Sequence, residues 1–365
     1  MRSKSYYAFL DGFRAIGISG VMLAHVSNFF NTRNLEGPAY QIISSLGPLG
    51  SLGVDIFFVI SGFLITGILI RNFEQNIDIK RFYVRRFFKI IPQYIIVVLF
   101  GFFLSWFLKN NEKSISYISY FFYFQNYVHP ITTLAHSWSL AIEEHYYLLY
   151  PLLTWVVFFF TKNSVNRRLV LAYICIFLII LTIYGRHYRY DQMDFLSVYL
   201  KVPFYSQTTL YRIDALLFGC VLKLFEPYLC KRDNQARLLI PFYFIAGVYL
   251  FYYLWLVVNP YSNVICWDKY LITYFATSLL FLSAYQRFEP FNWILENPSI
   301  RWVGQISYAI YLWHYPLIFI FVKLAPIIGV TTCIISYLTT TIIIGAISTY
   351  TIEKYFLNFR EKVMP

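Results

Sequence analysis

Charge is what this sequence has least of. Asp, Glu, Lys and Arg together make up 13% of its 365 residues, where soluble domains carry about 25%. Hydrophobic residues make up 59%. This balance excludes a soluble globular domain and predicts an all-α, polytopic integral membrane protein. Acidic residues are the scarcer sign, 18 against 30 Lys and Arg, for a net charge of +12. The excess reads as a basic cytoplasmic face. Nucleic-acid binding would need a soluble basic module, and none is present. Cysteine is sparse too. Cys175, Cys220, Cys230, Cys266 and Cys333 are odd in number, scattered, and form no C-x-x-C. They suggest neither a disulfide framework nor a zinc site, and no metal is expected.

Other absences narrow the field further. There is no H-x-x-H-H box, which argues against a di-iron desaturase. There is no H-E-x-x-H, which argues against a zinc intramembrane protease, and no G-x-x-x-x-G-K-[ST], which argues against an ATP-driven pump on this chain. Internal repeats, heptads and low-complexity linkers are missing. No soluble domain is expected at either end, so 1–365 reads as a single transmembrane domain. The first apolar segment is longer than a signal h-region, carries Asp11 and Arg14 and lacks a small-residue cleavage site. It reads as a retained first membrane helix. Phe and Tyr are abundant, 37 and 34 copies. Aromatic belts account for some, and no function is assigned to the excess.

What is present is a set of apolar stretches long enough to span, about 17–25 residues each. They fall near 9–30, 49–70, 91–108, 138–161, 168–185, 206–225, 238–258, 269–285, 303–324 and 330–352. A further aromatic stretch, 115–128, is short and lies among polar residues. If it does not cross, most Lys and Arg fall on the side of the N-terminus, among them Arg81, Arg85, Arg86, Lys89, Arg167, Arg168 and Arg360. The positive-inside rule then gives about ten spans with both termini cytoplasmic. Segment 115–128 becomes a re-entrant or interfacial element facing outward. The longest polar stretches are 71–90 inside and 186–205 outside. Within the inner one, residues 78–92 alternate basic and aromatic side chains. An amphipathic helix on anionic lipid and a phosphate-binding element both fit that pattern.

Ionisable residues inside a membrane helix are costly and default to a functional reading. Arg14 and His25 lie eleven residues apart in the first span, nearly on one helix face and roughly 16 Å apart in depth. Arg14 is near the inner end and His25 near the outer end. Glu143 and Glu144 lie near the outer end of the fourth span, level with His25. Asp55, Arg212 and Asp214 are also near outer ends, and His314 is near the midplane of the ninth span.

This pattern suits a reaction whose partners arrive from opposite sides. A polyanionic donor would dock at the inner arginines, whose forked donors match phosphate. A hydroxylic acceptor would enter from outside. His25 would act as general base, with a carboxylate to orient the ring. Plainer readings stand beside these. His25 fits a packing histidine, and the two glutamates an interfacial acidic pair of which only one shares the face of Tyr147. Arg212 and Asp214 fit ion partners near a helix end. Asp55 fits a backbone cap after the glycine-rich run 47–53. His129, His136, His145 and His187 read as interfacial.

Six motifs in order resemble those of the acyltransferase family 3 integral membrane proteins. They are Leu10–Arg14 with His25, Gly53–Ile65, Phe82–Pro92, Ser137–Tyr147 with Pro151, Tyr211–Ala215 with Gly219, and Gly304–His314 with Pro316. The resemblance covers nearly the whole chain. It implies transfer of an acyl group, commonly acetyl from acetyl-CoA, to an extracytoplasmic glycan hydroxyl. It also implies an essential histidine at His25, an essential arginine at Arg14, a donor-associated basic motif at Arg85 and Arg86, and an acidic motif at Glu143 and Glu144. Lys89 would join the donor site. Asp11, Asp55, Arg212, Asp214, Tyr308 and His314 would support it. Ala15 stands where the family usually has glycine, Lys89 where arginine is common, and His145 where glutamine is common.

The expected function is therefore an O-acyltransferase of the bacterial inner membrane acting on a surface or lipid-linked glycan such as O-antigen or exopolysaccharide, with membrane lipids as surroundings. Two rivals share the residues. One is a transporter exporting a glycan or acylated product without chemistry, and the other an acyltransferase of a small metabolite or antibiotic. If the acceptor is a glycan, changes in the outer stretch 186–205 should alter acceptor choice.

Overall fold

The computed structural model describes residues 7–31, 37–50, 52–75, 78–110, 112–191, 207–229, 234–257 and 268–363. Within them the protein is helical, with no strand. By length and composition, seven helices among the described residues can cross a membrane: Phe9–Asn31, Gly53–Glu74, Ile79–Phe107, Ser164–Arg189, Leu238–Leu256, Ser307–Ile328 and Val330–Val363. The protein is a multi-pass, all-α membrane protein.

The helices are α1 (Phe9–Asn31), α2 (Pro38–Gly50), α3 (Gly53–Glu74), α4 (Ile79–Phe107), α5 (Ser114–Phe121), α6 (Trp138–Phe160), α7 (Ser164–Asp191), α8 (Asp214–Leu229), α9 (Asn234–Val257), α10 (Asp268–Tyr285), α11 (Glu289–Leu295), α12 (Pro298–Gln305), α13 (Ser307–Ile328), α14 (Val330–Ser348) and α15 (Lys354–Val363). A π-helical turn, Thr349–Glu353, joins the last two.

Three of the ten expected spans fall short of the seven for physical reasons. In α6 the run Glu143-Glu144-His145 and the tyrosines after it dilute the apolarity. The stretch 206–225 resolves into a 3-10 turn, Thr209–Tyr211, followed by α8 of only 16 residues. α10 is 18 residues long and opens on Asp268 and Lys269. The segment near 115–128 contains α5, eight residues long, or about 12 Å. That is well short of a hydrocarbon core about 30 Å thick, and so α5 does not cross. The basic stretch before residue 91 is not a separate interfacial helix. It forms the first turns of α4, 29 residues long, and about 43 Å in extent. Asp78 caps the start, its carboxylate accepting from the Lys80 N–H at 2.9 Å, which supplies a partner to an otherwise orphaned donor. The glycine-rich run before Asp55 is helical as far as Gly50, where α2 ends.

Two compact units divide the chain, residues 1–60 with 226–346 and residues 61–225 with 347–365. In the first, backbones approach closely where side chains vanish. A Cβ on Gly304 would overlap the Asp11 carbonyl, and one on Gly12 would overlap Leu295. The start of α1 is thereby fitted against α11 and α12, which positions Asp11 and Arg14. Further along α1, Gly20 meets Gly50. Small residues permit such contact between membrane helices, where dispersion replaces the hydrophobic effect. Phe9 and Phe13 fill the adjoining space, edge-on to Phe281 and Phe291 with centroids 5.4 and 5.7 Å apart. In the second unit, Ile70, Val157, Leu171, Ala172 and Leu224 form a dry core between α3, α6, α7 and α8.

Candidate functional site

The predicted residues gather into loci that each lie inside one unit. In the first unit Arg14 and Asp11, one turn apart on α1, form an ion pair at 2.9 Å. Asp11 is buried, and Gln305 of α12 donates to its other oxygen at 3.2 Å. Asp11 is thus held from two sides and fixes Arg14, whose side chain remains 31% exposed. A cation anchored at its base yet open to a ligand is suited to holding phosphate.

Further along α1, the half-buried His25 has an aromatic surround. Tyr315 meets it edge to face with centroids 4.8 Å apart, and the His314 ring lies tilted at 5.3 Å. His314 is fully buried. Its Nδ1 lies 2.6 Å from the Tyr311 carbonyl, and a carbonyl only accepts, so Nδ1 carries the proton and Nε2 is the acceptor. Tyr337 donates to the His314 carbonyl at 3.1 Å, tying α14 to this point of α13. The neighbours of His25 grip its ring by packing alone. Among the described residues, neither of its nitrogens is hydrogen-bonded. Tyr308 is half-buried in the first turn of α13, and Asp55 is buried in the first turn of α3.

In the second unit the two glutamates separate, as adjacent positions on a helix must. Glu143 accepts from Ser61 at 3.2 Å and from Tyr147, one turn along α6, at 2.9 Å. It is the glutamate that shares the face of Tyr147. Glu144 turns toward α4 and lines a cavity of about 360 Å³ with Tyr83, Arg86, Phe88 and Tyr147. The Arg86 guanidinium stacks over Tyr147, 4.7 Å from the centroid. Arginine, carboxylate and phenol therefore share one cavity. Arg85 and Lys89 are exposed, outside this cavity.

Asp214 is buried and paired with Arg186 of α7 at 2.6 Å. Arg186 also donates to the Tyr211 carbonyl at 2.7 Å. Sequence reasoning placed Arg186 in an outer loop. It is 2% exposed and anchors the turn that carries Arg212, which is buried with its guanidinium 5.6 Å from the Trp138 ring centroid. The signal available was indirect, namely a buried Asp that needed a cation. His136, read as interfacial, is buried in a 3-10 turn. His145 meets the Thr209 hydroxyl at 2.7 Å. Residues 192–205 of the outer stretch lie outside the described residues. No group of His, Cys, Asp and Glu among the described residues could hold a metal ion.

The profile of a family described as an acyltransferase domain matches residues 7–352. The O-acetyltransferase OatA of Staphylococcus aureus is 30% identical over 339 residues, covering 87% of this chain and 51% of that protein. The peptidoglycan O-acetyltransferase OatA of Listeria monocytogenes is 28% identical over 342 residues, covering 87% and 50%. The chain thus spans about half the length of the curated relatives it matches. No solved structure matches it.

Proposed function

This chain belongs to the acyltransferase domain family, and from that premise we propose that it is an O-acetyltransferase of the bacterial cytoplasmic membrane. It takes acetyl from acetyl-CoA on the cytoplasmic side, where both termini lie, and delivers it to a hydroxyl of a surface or lipid-linked glycan. O-antigen and exopolysaccharide are the acceptors expected from the sequence, and the Listeria relative, a peptidoglycan O-acetyltransferase, adds peptidoglycan.

The observation that supports this reading best is the state of His25, a membrane-embedded imidazole packed by aromatic rings and hydrogen-bonded to nothing among the described residues. A packing histidine would use its nitrogens on the protein, whereas a general base keeps one for the substrate. In the proposed step His25 takes the proton from the acceptor hydroxyl. The oxygen attacks the acetyl carbonyl, an ester forms, the C–S bond breaks, and the proton passes to the departing CoA thiolate. Arg14, Arg85, Arg86 and Lys89 attract the phosphates of the donor. Glu143 and Glu144 are the carboxylates of the machinery. Asp11 holds Arg14 in place. Asp55, Arg212, Asp214, Tyr308 and His314 serve as substrate-contacting or supporting residues.

The test is His25→Ala in the native host, with membrane expression confirmed and surface glycan O-acetyl groups read by NMR. General base catalysis contributes roughly 10²–10⁴-fold, so the O-acetyl signal should fall below detection. Acetylation at the wild-type level would remove His25 from the mechanism. Loss of glycan export with any exported glycan still acetylated would favour transport instead.

A further inference from the structure

The first unit holds a cavity of about 670 Å³ that the acyl-transfer reading does not use. α1 lines it with Ile16, Ser19, Gly20 and Leu23, the i, i+3, i+4 and i+7 positions of one helical stripe. Leu46 of α2 and Thr277 of α10 face that stripe from other helices. His25 is two residues past Leu23, about 200° further round the helix. The cavity is therefore separate from the proposed base.

Depth and length point to its occupant. The lining runs along α1 from Phe13 to Leu23, about 15 Å. These residues form the middle of a helix long and apolar enough to cross the membrane. About 15 Å is half of a hydrocarbon core about 30 Å thick, which is the depth of one leaflet. The rim is open, with Ile16 and Leu46 44% and 45% exposed, and at this depth the surroundings are lipid. Water does not fill such a space, since even an apolar cavity of about 150 Å³ stays dry and takes benzene instead. Membrane helices are held together by packing contacts, which an unfilled space forfeits.

Polarity orients the occupant. α10 runs antiparallel to α1, with Tyr285 beside Tyr7 at 5.5 Å and Phe281 beside Phe9 at 5.4 Å between ring centroids. Thr277, one turn before Phe281, thus lies near the level of Phe13, at the N-terminal end of the cavity. It is 1% exposed, and its hydroxyl has no hydrogen-bond partner among the described residues. A helical threonine can donate to the carbonyl four residues back, as Thr273 does to Lys269 at 2.6 Å on the same helix. The Thr277 hydroxyl is left for an oxygen of a ligand, while the far end, at Leu23 and Leu46, is hydrocarbon.

We propose that this cavity seats one fatty acyl chain of a membrane glycerolipid from the leaflet at the N-terminal end of α1. Thr277 donates to the ester carbonyl, and the chain runs toward Leu23 and Leu46. The lipid completes the packing of α1, the helix that carries Arg14 and His25. A long-chain acyl thioester would offer the same carbonyl and chain.

The experiment uses the full chain, purified and delipidated in detergent, with dioleoylphosphatidylglycerol as probe. Native mass spectrometry reads binding, and the thermal midpoint reads its effect on the fold. Ser19→Leu and Thr277→Leu fill the cavity and should weaken the tightest binding event tenfold or more. Thr277→Ser keeps the hydroxyl and should stay within twofold, as should Ile245→Phe on the exposed side of α9. Added lipid should raise the midpoint of the wild type but not that of Ser19→Leu, which carries the test should Thr277→Leu fail to fold. Wild-type affinity in Ser19→Leu overturns the site. A parallel arm offers palmitoyl-CoA, and preference for it over the phospholipid would overturn the glycerolipid and make the cavity an acyl-donor site.

Discussion

The two units hold their chemical groups by opposite means. In the first, His25 is gripped by ring edges, and the helix that carries it is set by glycine contacts with neighbouring backbones. In the second, Glu143 is bound by two hydroxyls, Asp214 by a buried arginine and Arg86 by an aromatic face. The difference follows from the chemistry of the groups. A neutral imidazole can be fixed by shape, which leaves its lone pair for a substrate. A buried carboxylate must be compensated, because an isolated ion in a low-dielectric interior is costly. Shape therefore positions the proposed base, and polar contacts position the carboxylates.

The sharpest way to break this contrast is to remove compensation in the second unit. Arg186→Met leaves the carboxylate of Asp214, which is fully buried, without its cation. Losing one partner of a buried pair costs about 3–5 kcal/mol, so the thermal midpoint of the purified protein in detergent should fall steeply. Replacing both, Arg186→Met with Asp214→Leu, should restore most of it. A single variant that melts with the wild type would show that the pair does not hold the turn.

A smaller effect tests shape in the first unit. Gly304→Ala drives a methyl into the Asp11 carbonyl, and overpacking of this kind costs about 1–3 kcal/mol. Gly185→Ala is the control, because its methyl meets only the Tyr211 ring at an ordinary 3.4 Å. That variant should be neutral or slightly more stable, since alanine favours the helix. Equal destabilisation by the two would refute the close-packing account.

The smallest effect refines the second unit. Tyr147→Phe removes the hydrogen bond to Glu143 but keeps the ring beneath Arg86, and should cost about 1 kcal/mol. Tyr147→Leu removes both contacts and should cost more. Matching losses would mean that the ring contributes nothing to holding Arg86.

Much of this was legible in advance. A helix of period 3.6 carrying Arg14 and His25 is a local fact, and α1 runs unbroken through both. That only one of Glu143 and Glu144 shares the face of Tyr147 is likewise a local expectation, and the structure decides for Glu143, which accepts from the Tyr147 hydroxyl. What stayed hidden depended on distant chain. Arg186 looked like a loop residue because nothing local to it names Asp214 as partner. The stretches near 138–161, 206–225 and 269–285 are shorter or less apolar than the others because polar residues needed by a site, or by a turn, interrupt them.

Sequence alone therefore determined the class of the protein, the helical faces and the family, because hydropathy and helical period act over a few turns. Only the tertiary structure decided which charge meets which and where backbones touch. Those depend on groups far apart in the chain that only packing brings within a few ångströms.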